Sequence, residues 1–461
     1  MLSDRLAGGA RPWLGAMAGT FAIALLVRVV AVMTWSRHLD PQGDEAFYWR
    51  QAQYLSGGAG FVYRNKFGEQ VHTAVHPPLY SAYLGLVGLL PLAEASHLPY
   101  RLATAFVGAA TVALIAFATY RLAGRTAAWA AGLLAAVYPN LWFNEVKLTA
   151  ESLYSLTVIV VVIAAHRYWV APSVRQAMWL GGAVAMAALA RAEALVLFGL
   201  LVVPLAFLIR DRPVRRRITE AGAAMAVGLV VLAPWLVRNL TSFASPATIS
   251  SGSGFVVEIS NCDQTFGLAP PKGPGEASLD AGQADQYLGY WVPACDRSDV
   301  SIHGANAVPW PDGDETEVER WKRGIGLDYV RAHRSELPVV VAARVGRIWD
   351  VWRPQQSIDL NTLFEGRSAS LRVGGIVVGF QSLAMAQYYV LLGLAAVGIF
   401  RLRRSGHTVM PYVALAVSAT LAAALSFGIT RYRVGVDVAL CVLGGVAIAH
   451  LLRPRRATVV T

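Results

Sequence analysis

About ten long apolar runs, separated by short charged turns, constrain this sequence more than any other feature. They fall near residues 13–35, 101–120, 126–143, 150–169, 176–191, 193–210, 219–237, 373–400, 408–427 and 432–452. A helix needs about 20 apolar residues to cross the hydrocarbon core of a bilayer, because every backbone N–H and C=O must be satisfied inside the segment. Charged residues make up only 15% of the chain, against about 25% in a soluble domain. The expected fold is therefore an all-α integral membrane protein with about ten spanning helices. The first run follows Arg5 and Arg11. It is longer than a secretory h-region and has no convincing cleavage site, so it reads as an anchor.

The formal charge is +11, which in a soluble chain would suggest nucleic acid. Here the arginines sit in blocks between apolar runs, and membrane orientation explains them better. The segment 79–92 settles the bookkeeping of sides. It is apolar but short, follows Pro77-Pro78 and is broken by Pro91. If it does not span, the blocks Arg121/Arg125, Arg167/Arg175, Arg210 to Arg217, Arg401 to Arg404 and Arg453 to Arg456 all face the cytoplasm. The segment is accordingly placed in the membrane interface, and the chain in the cell (inner or plasma) membrane as a multi-pass protein.

Two outer segments remain. One is a first loop at 36–100; the other, 239–370, is too long for a bare connector and reads as a small folded cap. Three units follow: 1–238 with the first loop, the cap at 239–370, and C-terminal spanning helices at 371–461. A stretch at 338–352 has the pattern of an amphipathic helix lying on the membrane. Cys262 and Cys295 share the cap loop, where an oxidising compartment favours a disulfide. Cys441, in an apolar run, reads as a small hydrophobe.

Three clusters carry candidate chemistry. Asp44 and Glu45 stand just beyond the first span, in Gly43-Asp44-Glu45-Ala46-Phe47-Tyr48-Trp49. Paired carboxylates at a membrane edge are costly unless solvated or used, and one could serve as general base toward an acceptor hydroxyl. A helix N-cap is the structural alternative. His76 precedes the stiff Pro77-Pro78, which fixes its direction. Glu145, Lys147 and Glu151 lie between the third and fourth spans, where a plain salt bridge is the alternative to a substrate contact. Several cations break the positive-inside trend: Arg101, Arg191, Arg238, Arg344, Arg347, Arg353, Arg431 and Arg433. Arg431 and Arg433 occupy a very short outer turn, and a guanidinium there suits an anionic ligand at the membrane surface. Snorkelling to lipid headgroups is the alternative. The cytoplasmic side offers no Gly-rich nucleotide loop, Cys-x-x-Cys pair or Ser–His–Asp set.

Together these features resemble the GT-C glycosyltransferases, nearest the branch of protein O-mannosyltransferases and lipid A aminoarabinose transferases (glycosyltransferase family 39-like). The resemblance rests on the acidic pair after the first helix, the His76-Pro77-Pro78-Leu79-Tyr80 stretch, the acidic residue opening the fourth helix and the late outer loop. It implies Asp44 as catalytic base with Glu45 as companion. It further implies His76, Glu145 or Glu151, Arg431 and Arg433 as substrate contacts, and Lys147, flanked by the two glutamates, is read as another candidate contact. The implied reaction moves a sugar from a polyprenyl-phosphate donor to an acceptor hydroxyl on a glycan, lipid or protein, with inversion and on the outer face. Lysine is common before Pro-Pro in the aminoarabinose branch, and His76 departs from it. Some GT-C enzymes use a divalent cation, which the sequence leaves open. The rival from another class is a transporter or flippase of lipid-linked sugars. It would place ionisable residues at mid-membrane and show paired broken helices.

Overall fold

The computed structural model describes residues 12–65, 68–93, 96–268, 285–373 and 376–452. The arginines at 5, 11, 453, 455 and 456 invoked above lie outside them. Helix α1 (Pro12–Ala31) runs on through a π-helical turn, Val32–Ser36. The first loop holds α2 (Asp44–Ser56), the hairpin β1 (Val62–Arg64) with β2 (Gln70–His72), and α3 (Pro78–Gly88). The hairpin pairs Val62 with His72 and Arg64 with Gln70.

A bundle follows: α4 (Leu98–Ala123), α5 (Arg125–Val137), α6 (Pro139–Val146), α7 (Glu151–Val170) and α8 (Val174–Ala190). An irregular segment Ala192–Leu208 passes from 3-10 through π geometry into α9 (Val203–Leu208), and α10 (Val214–Ser242) leads to the cap. The cap comprises α11 (Ser253–Ile259), α12 (Val300–His303), α13 (Glu315–Ala332), α14 (Leu337–Ile348) and α15 (Pro354–Phe364). A second hairpin, β3 (Ser370–Val373) with β4 (Ile376–Gly379), returns the chain to α16 (Phe380–Arg404), α17 (Met410–Leu425) and α18 (Val434–Leu451).

Among the described residues, six helices are long and apolar enough to cross a membrane, and four more, Arg125–Val137, Val174–Ala190, Ala192–Leu208 and Met410–Leu425, are apolar but shorter. The expected spans are thus present as helices, with two departures. The run 126–143 is divided, because Pro139 has no N–H to continue the ladder and forces Tyr138 into extended geometry (ψ 112°). The short hairpins add a little sheet to an otherwise helical chain.

Small residues let the helices close on one another. A Cβ on Gly181 would sit 2.0 Å from the Ala224 carbonyl oxygen, and one on Gly445 would sit 2.7 Å from that of Ala127. Only glycine permits these approaches, the usual device for packing helices where lipid supplies no hydrophobic drive. Helix α18 is buried on nearly every side, packed by α4, α5, α7 and α16. A helix apolar all round belongs at a bundle centre, and its first turn therefore opens at the middle of one bundle end.

The cap sits at that end. Ser251 N–H donates to the Ala74 carbonyl (2.8 Å), and Gly428 N–H to that of Gly289 (2.8 Å). Cys262 and Cys295 form a disulfide, with Cα atoms 5.8 Å apart. Helix α14 is amphipathic but turns its arginines inward. Arg344 donates to the Ser260 carbonyl (2.6 Å), and Arg347 to those of Leu288 (2.7 Å) and Gln286 (3.0 Å). Helix α3 keeps Leu86, Leu89, Leu90 and Leu92 largely exposed at its end, as an element resting in the membrane interface would. At the opposite end, the Trp169 indole donates to the Gly406 carbonyl (2.9 Å) and Ser173 shares a groove with Arg212, Arg215 and Arg216. The described arginine blocks collect there.

Candidate active site

Asp44 opens α2 immediately after Gly43, whose φ of 53° turns the chain into the helix. A carboxylate in a first turn also complements the helix dipole. Glu151 opens α7 in the same way. Arg431 lies in the 3-10 turn Thr430–Arg433 that starts the central helix. These three converge. The Arg431 guanidinium is 2.9 Å from Asp44 Oδ2 and 3.0 Å from Glu151 Oε1, and 3.4 Å from Glu365 Oε2 at the end of α15. Glu151 is also paired with Arg191, which binds Glu193 as well. Arg191 lies 5.0 Å from the Tyr432 ring centroid.

His76 Nε2 stands 3.7 Å from Asp44 Oδ1, too far for a hydrogen bond. Its ring packs 4.9 Å from those of Phe47 and Tyr48. Exposure grades across the group: 37% at the Asp44 side chain, 26% at His76, 17% at Arg431 and 2% at Glu151. The group is thus a recess that opens at Asp44 and His76 and is floored by Glu151. Burial pushes the Asp44 carboxyl up, but Arg431 first and His76 next outweigh it, holding it at about 2. Burial lowers the His76 imidazole below its usual value, and the nearby arginines add to this against the pull of Asp44. At neutral pH the recess holds an ionised Asp44 beside a neutral His76.

The remaining sequence candidates are engaged elsewhere. Glu45 faces away from Asp44, as adjacent residues on a helix must. It takes Arg101 at 3.2 Å, Lys147 at 2.9 Å and the Leu148 N–H at 3.4 Å. Lys147 also donates to the Glu365 carbonyl at 2.7 Å, so it fixes the backbone of a residue whose side chain reaches Arg431. Glu145 is fully buried against Arg28 inside the bundle. Arg433 turns inward to Asp350 (2.8 Å) and Asp437 (3.2 Å). Of the eight arginines read as out of place, two border Asp44: Arg431 and Arg191. Arg238 donates to the backbone carbonyls of Phe61 and Thr73 instead, and Arg353 pairs with Asp285.

Tyr48 and Glu365 are neighbours of the recess that the sequence did not single out for it, whereas Arg191 was among the arginines read as out of place. Tyr48 was within reach, lying four residues after Asp44 on one helix face. Glu365 gave no signal, since nothing in its local pattern sets it apart from other loop carboxylates.

Among the described residues, no group of three or more His, Cys, Asp or Glu side chains is arranged to hold a metal ion. The three carboxylates that do converge enclose the Arg431 guanidinium, a cation supplied by the chain itself. This arrangement does not fit a metal cage.

Residues 75–237 match the family model of dolichyl-phosphate-mannose-protein mannosyltransferase. The archaeal oligosaccharyltransferase AglB from Archaeoglobus fulgidus, solved with an inhibitory peptide and a dolichol-phosphate, superposes over 95% of this chain and 50% of its own, at TM-score 0.52 and 10% identity. The chain has the GT-C fold. A second structure of the Archaeoglobus fulgidus oligosaccharyltransferase, tethered to an acceptor peptide, agrees at TM-score 0.53, 12% identity, and 95% and 49% coverage. The chain thus spans about half the length of those enzymes. ArnT from Cupriavidus metallidurans, solved with undecaprenyl phosphate, matches over 96% of this chain and 79% of its own with 16% identity, at a looser TM-score of 0.38. No curated protein matches the sequence.

Proposed function

We propose that this protein is a membrane glycosyltransferase that moves a sugar from a polyprenyl-phosphate donor to an acceptor hydroxyl, by inverting displacement, on the outer face of the membrane. The convergence of Asp44 with Arg431 at the cap end of the bundle is the observation that carries this reading. Asp44 is the base. As the acceptor oxygen bonds to the anomeric carbon, its proton passes to the Asp44 carboxylate. The bond from that carbon to the phosphate oxygen breaks on the opposite face, and its electron pair leaves with the polyprenyl phosphate.

The leaving phosphate gains a negative charge in the transition state. Cations placed for it therefore lower the barrier more than they tighten the ground state. Arg431 and Arg191 are positioned to supply them. An ionised leaving group needs no general acid, so one carboxylate with cationic phosphate contacts suffices. Arg431 pairs with Asp44 when no donor is bound. A phosphate that takes this guanidinium loosens that pair, so the base becomes stronger when the donor arrives.

A transporter would concentrate its ionisable groups at mid-membrane, whereas this set lies at one end beneath a cap. The direct test is incubation of the purified protein with radiolabelled polyprenyl-phosphate sugars and membrane extract as acceptor. Transfer by the wild-type protein and its loss in Asp44→Asn support the reading. Equal transfer by both removes Asp44 from the role.

A further inference from the structure

Helix α10 begins against its own dipole. Its first turn carries Arg215, Arg216 and Arg217 and no acidic residue, although the positive end of a helix disfavours cations. Pro213 precedes it and offers no side-chain acceptor to the unsatisfied N–H groups of that turn. Helix α8 opens beside it at Val174, also without an acidic residue in its first turn. The two helix starts line a groove of about 490 Å³ at the end of the bundle opposite the cap. We infer that this groove binds the phosphodiester headgroup of an anionic glycerophospholipid.

The groove's own charges leave room for an anion. Glu220, the carboxylate among its lining residues, is 2% exposed and accepts from the Tyr168 hydroxyl at 2.7 Å and from Arg212. Its charge is thus already answered. Arg217 folds back onto the carbonyls of Arg212 (2.9 Å) and Arg210 (2.6 Å). Arg215 and Arg216 differ: both are exposed and line the groove, and among the described residues neither guanidinium has a hydrogen-bond or ion-pair partner. Two free guanidiniums suit the oxygens of one phosphate. Ser173 accepts from the Gln176 N–H at 3.3 Å and keeps its own O–H to donate.

Position and shape select a lipid over a free phosphate. The 29 residues of α10, at about 1.5 Å each, outrun the roughly 30 Å hydrocarbon core. Its charged first turn is the part that stands at headgroup level. One turn further in, on the faces that line the groove, α8 presents Met178 and α10 presents Gly222 and Ala223. The basic groove therefore continues into apolar surface with small side chains, where an acyl chain can lie. A free phosphate would use the first part alone. A zwitterionic headgroup would bring an ammonium toward Arg215 and Arg216, which repel it. The positive-inside trend accounts for arginines at this end of the bundle, but not for three of them in a first turn beside a groove. Arg401, Arg403 and Arg404 give the contrast, since they occupy the last turn of α16, where the dipole favours them.

The test uses the full chain purified in dodecyl maltoside, titrated with dioctanoyl-phosphatidylglycerol, dioctanoyl-phosphatidylcholine and glycerol 3-phosphate. Saturable binding of the phosphatidylglycerol is expected, with the other two probes at least about 10-fold weaker. Arg215→Gln/Arg216→Gln should weaken the phosphatidylglycerol by about 10- to 30-fold. Arg403→Gln/Arg404→Gln, which removes the same charge from the same end, should leave it unchanged. Thr219→Glu, at an exposed position lining the groove, should weaken it independently, so the proposal stays testable if the arginine variant does not fold. Equal affinity for phosphatidylcholine, equal losses in the two double-arginine variants, or binding untouched by both Arg215→Gln/Arg216→Gln and Thr219→Glu overturns the proposal. Glycerol 3-phosphate binding as tightly as the lipid would make this a phosphate site and overturn the lipid assignment. Sugar transfer plays no part in the readout, so either result leaves the transferase reading where it was.

Discussion

Asp44 and Arg431 lie 2.9 Å apart although one opens the first loop and the other opens the central helix. In the proposed reaction the pair joins the carboxylate that removes a proton with the guanidinium that receives a phosphate. Its first consequence is that Asp44→Asn keeps the shape of the site and removes the base. Transfer should fall by about 10²–10⁴-fold, the usual span for general base catalysis. Undecaprenyl phosphate binding should persist, because Arg431 and Arg191 remain. Initial rates and lipid titration on the same preparation separate the two effects.

The pair also sets a pH dependence. Asp44 is depressed from 3.8 to about 2, so its contribution to the fold is complete above about 4 and is lost as pH falls through about 2. In Arg431→Gln, the upward push of burial loses its main opponent. The acid limb of the residual transfer rate should then move to higher pH. Arg431→Lys keeps the charge, loses the fork that binds phosphate bidentately, and should slow transfer with little movement of that limb. If both variants keep the wild-type profile, Arg431 does not tune Asp44.

Much of this was legible in the sequence, for reasons that differ by residue. Lipid demands long apolar helices, so the spans showed themselves, although Pro139 divides one of them and 3-10 and π turns interrupt the run 193–210. Asp44 and His76 stood out because polar groups at a membrane edge are rare. Glu145 and Glu151 could not be separated by sequence, since both flank Lys147; only the break at Pro139 and the short helix after it decide that Glu145 points back to Arg28. Arg431 and Arg433, two residues apart in a tight turn, likewise diverge, one toward the recess and one into the bundle. Glu365 reaches the site through a cap whose folding no local pattern reveals.

Glu45 is a positioning residue by this geometry. Its carboxylate ties α2 to Arg101 on α4 and to Lys147 ahead of α7. Glu45→Gln leaves two cations facing a neutral group. Removing one partner of a buried ion pair costs about 3–5 kcal/mol, so the variant should unfold at lower temperature than Asp44→Asn. Any loss of transfer should track the loss of folded protein. A stable Glu45→Gln without activity would return Glu45 to the chemistry.

Glu319, in the cap, offers a test of burial free of catalysis. It is 8% exposed, and burial raises its carboxyl to about 7, opposed by the Phe255 N–H that it accepts at 2.8 Å. A raised carboxyl favours the fold while neutral. That contribution is present below about 4.5 and is lost as pH rises through about 7. Glu319→Gln keeps an acceptor without the charge, so it should raise stability at pH 8 by at most about 3 kcal/mol and change little at pH 4. Thermal unfolding at the two values decides it, and equal shifts at both would contradict the charge argument.

We infer the side on which the recess opens from charge. The arginine blocks from Arg121 to Arg404 collect at the end opposite the cap, and the positive-inside trend assigns that end to the cytoplasm. The protein suits a labelling test, because Cys262 and Cys295 are paired and Cys441 is buried. A single added thiol therefore reports alone. Asp312→Cys in the cap should react with a membrane-impermeant maleimide on intact cells, or on spheroplasts if an outer membrane bars the reagent. Arg216→Cys should react only after permeabilisation. The reverse pattern would turn the Asp44 recess toward the cytosol. A sugar carried on the outer leaflet could then not reach Asp44, and the proposed reaction would fail whatever the recess binds.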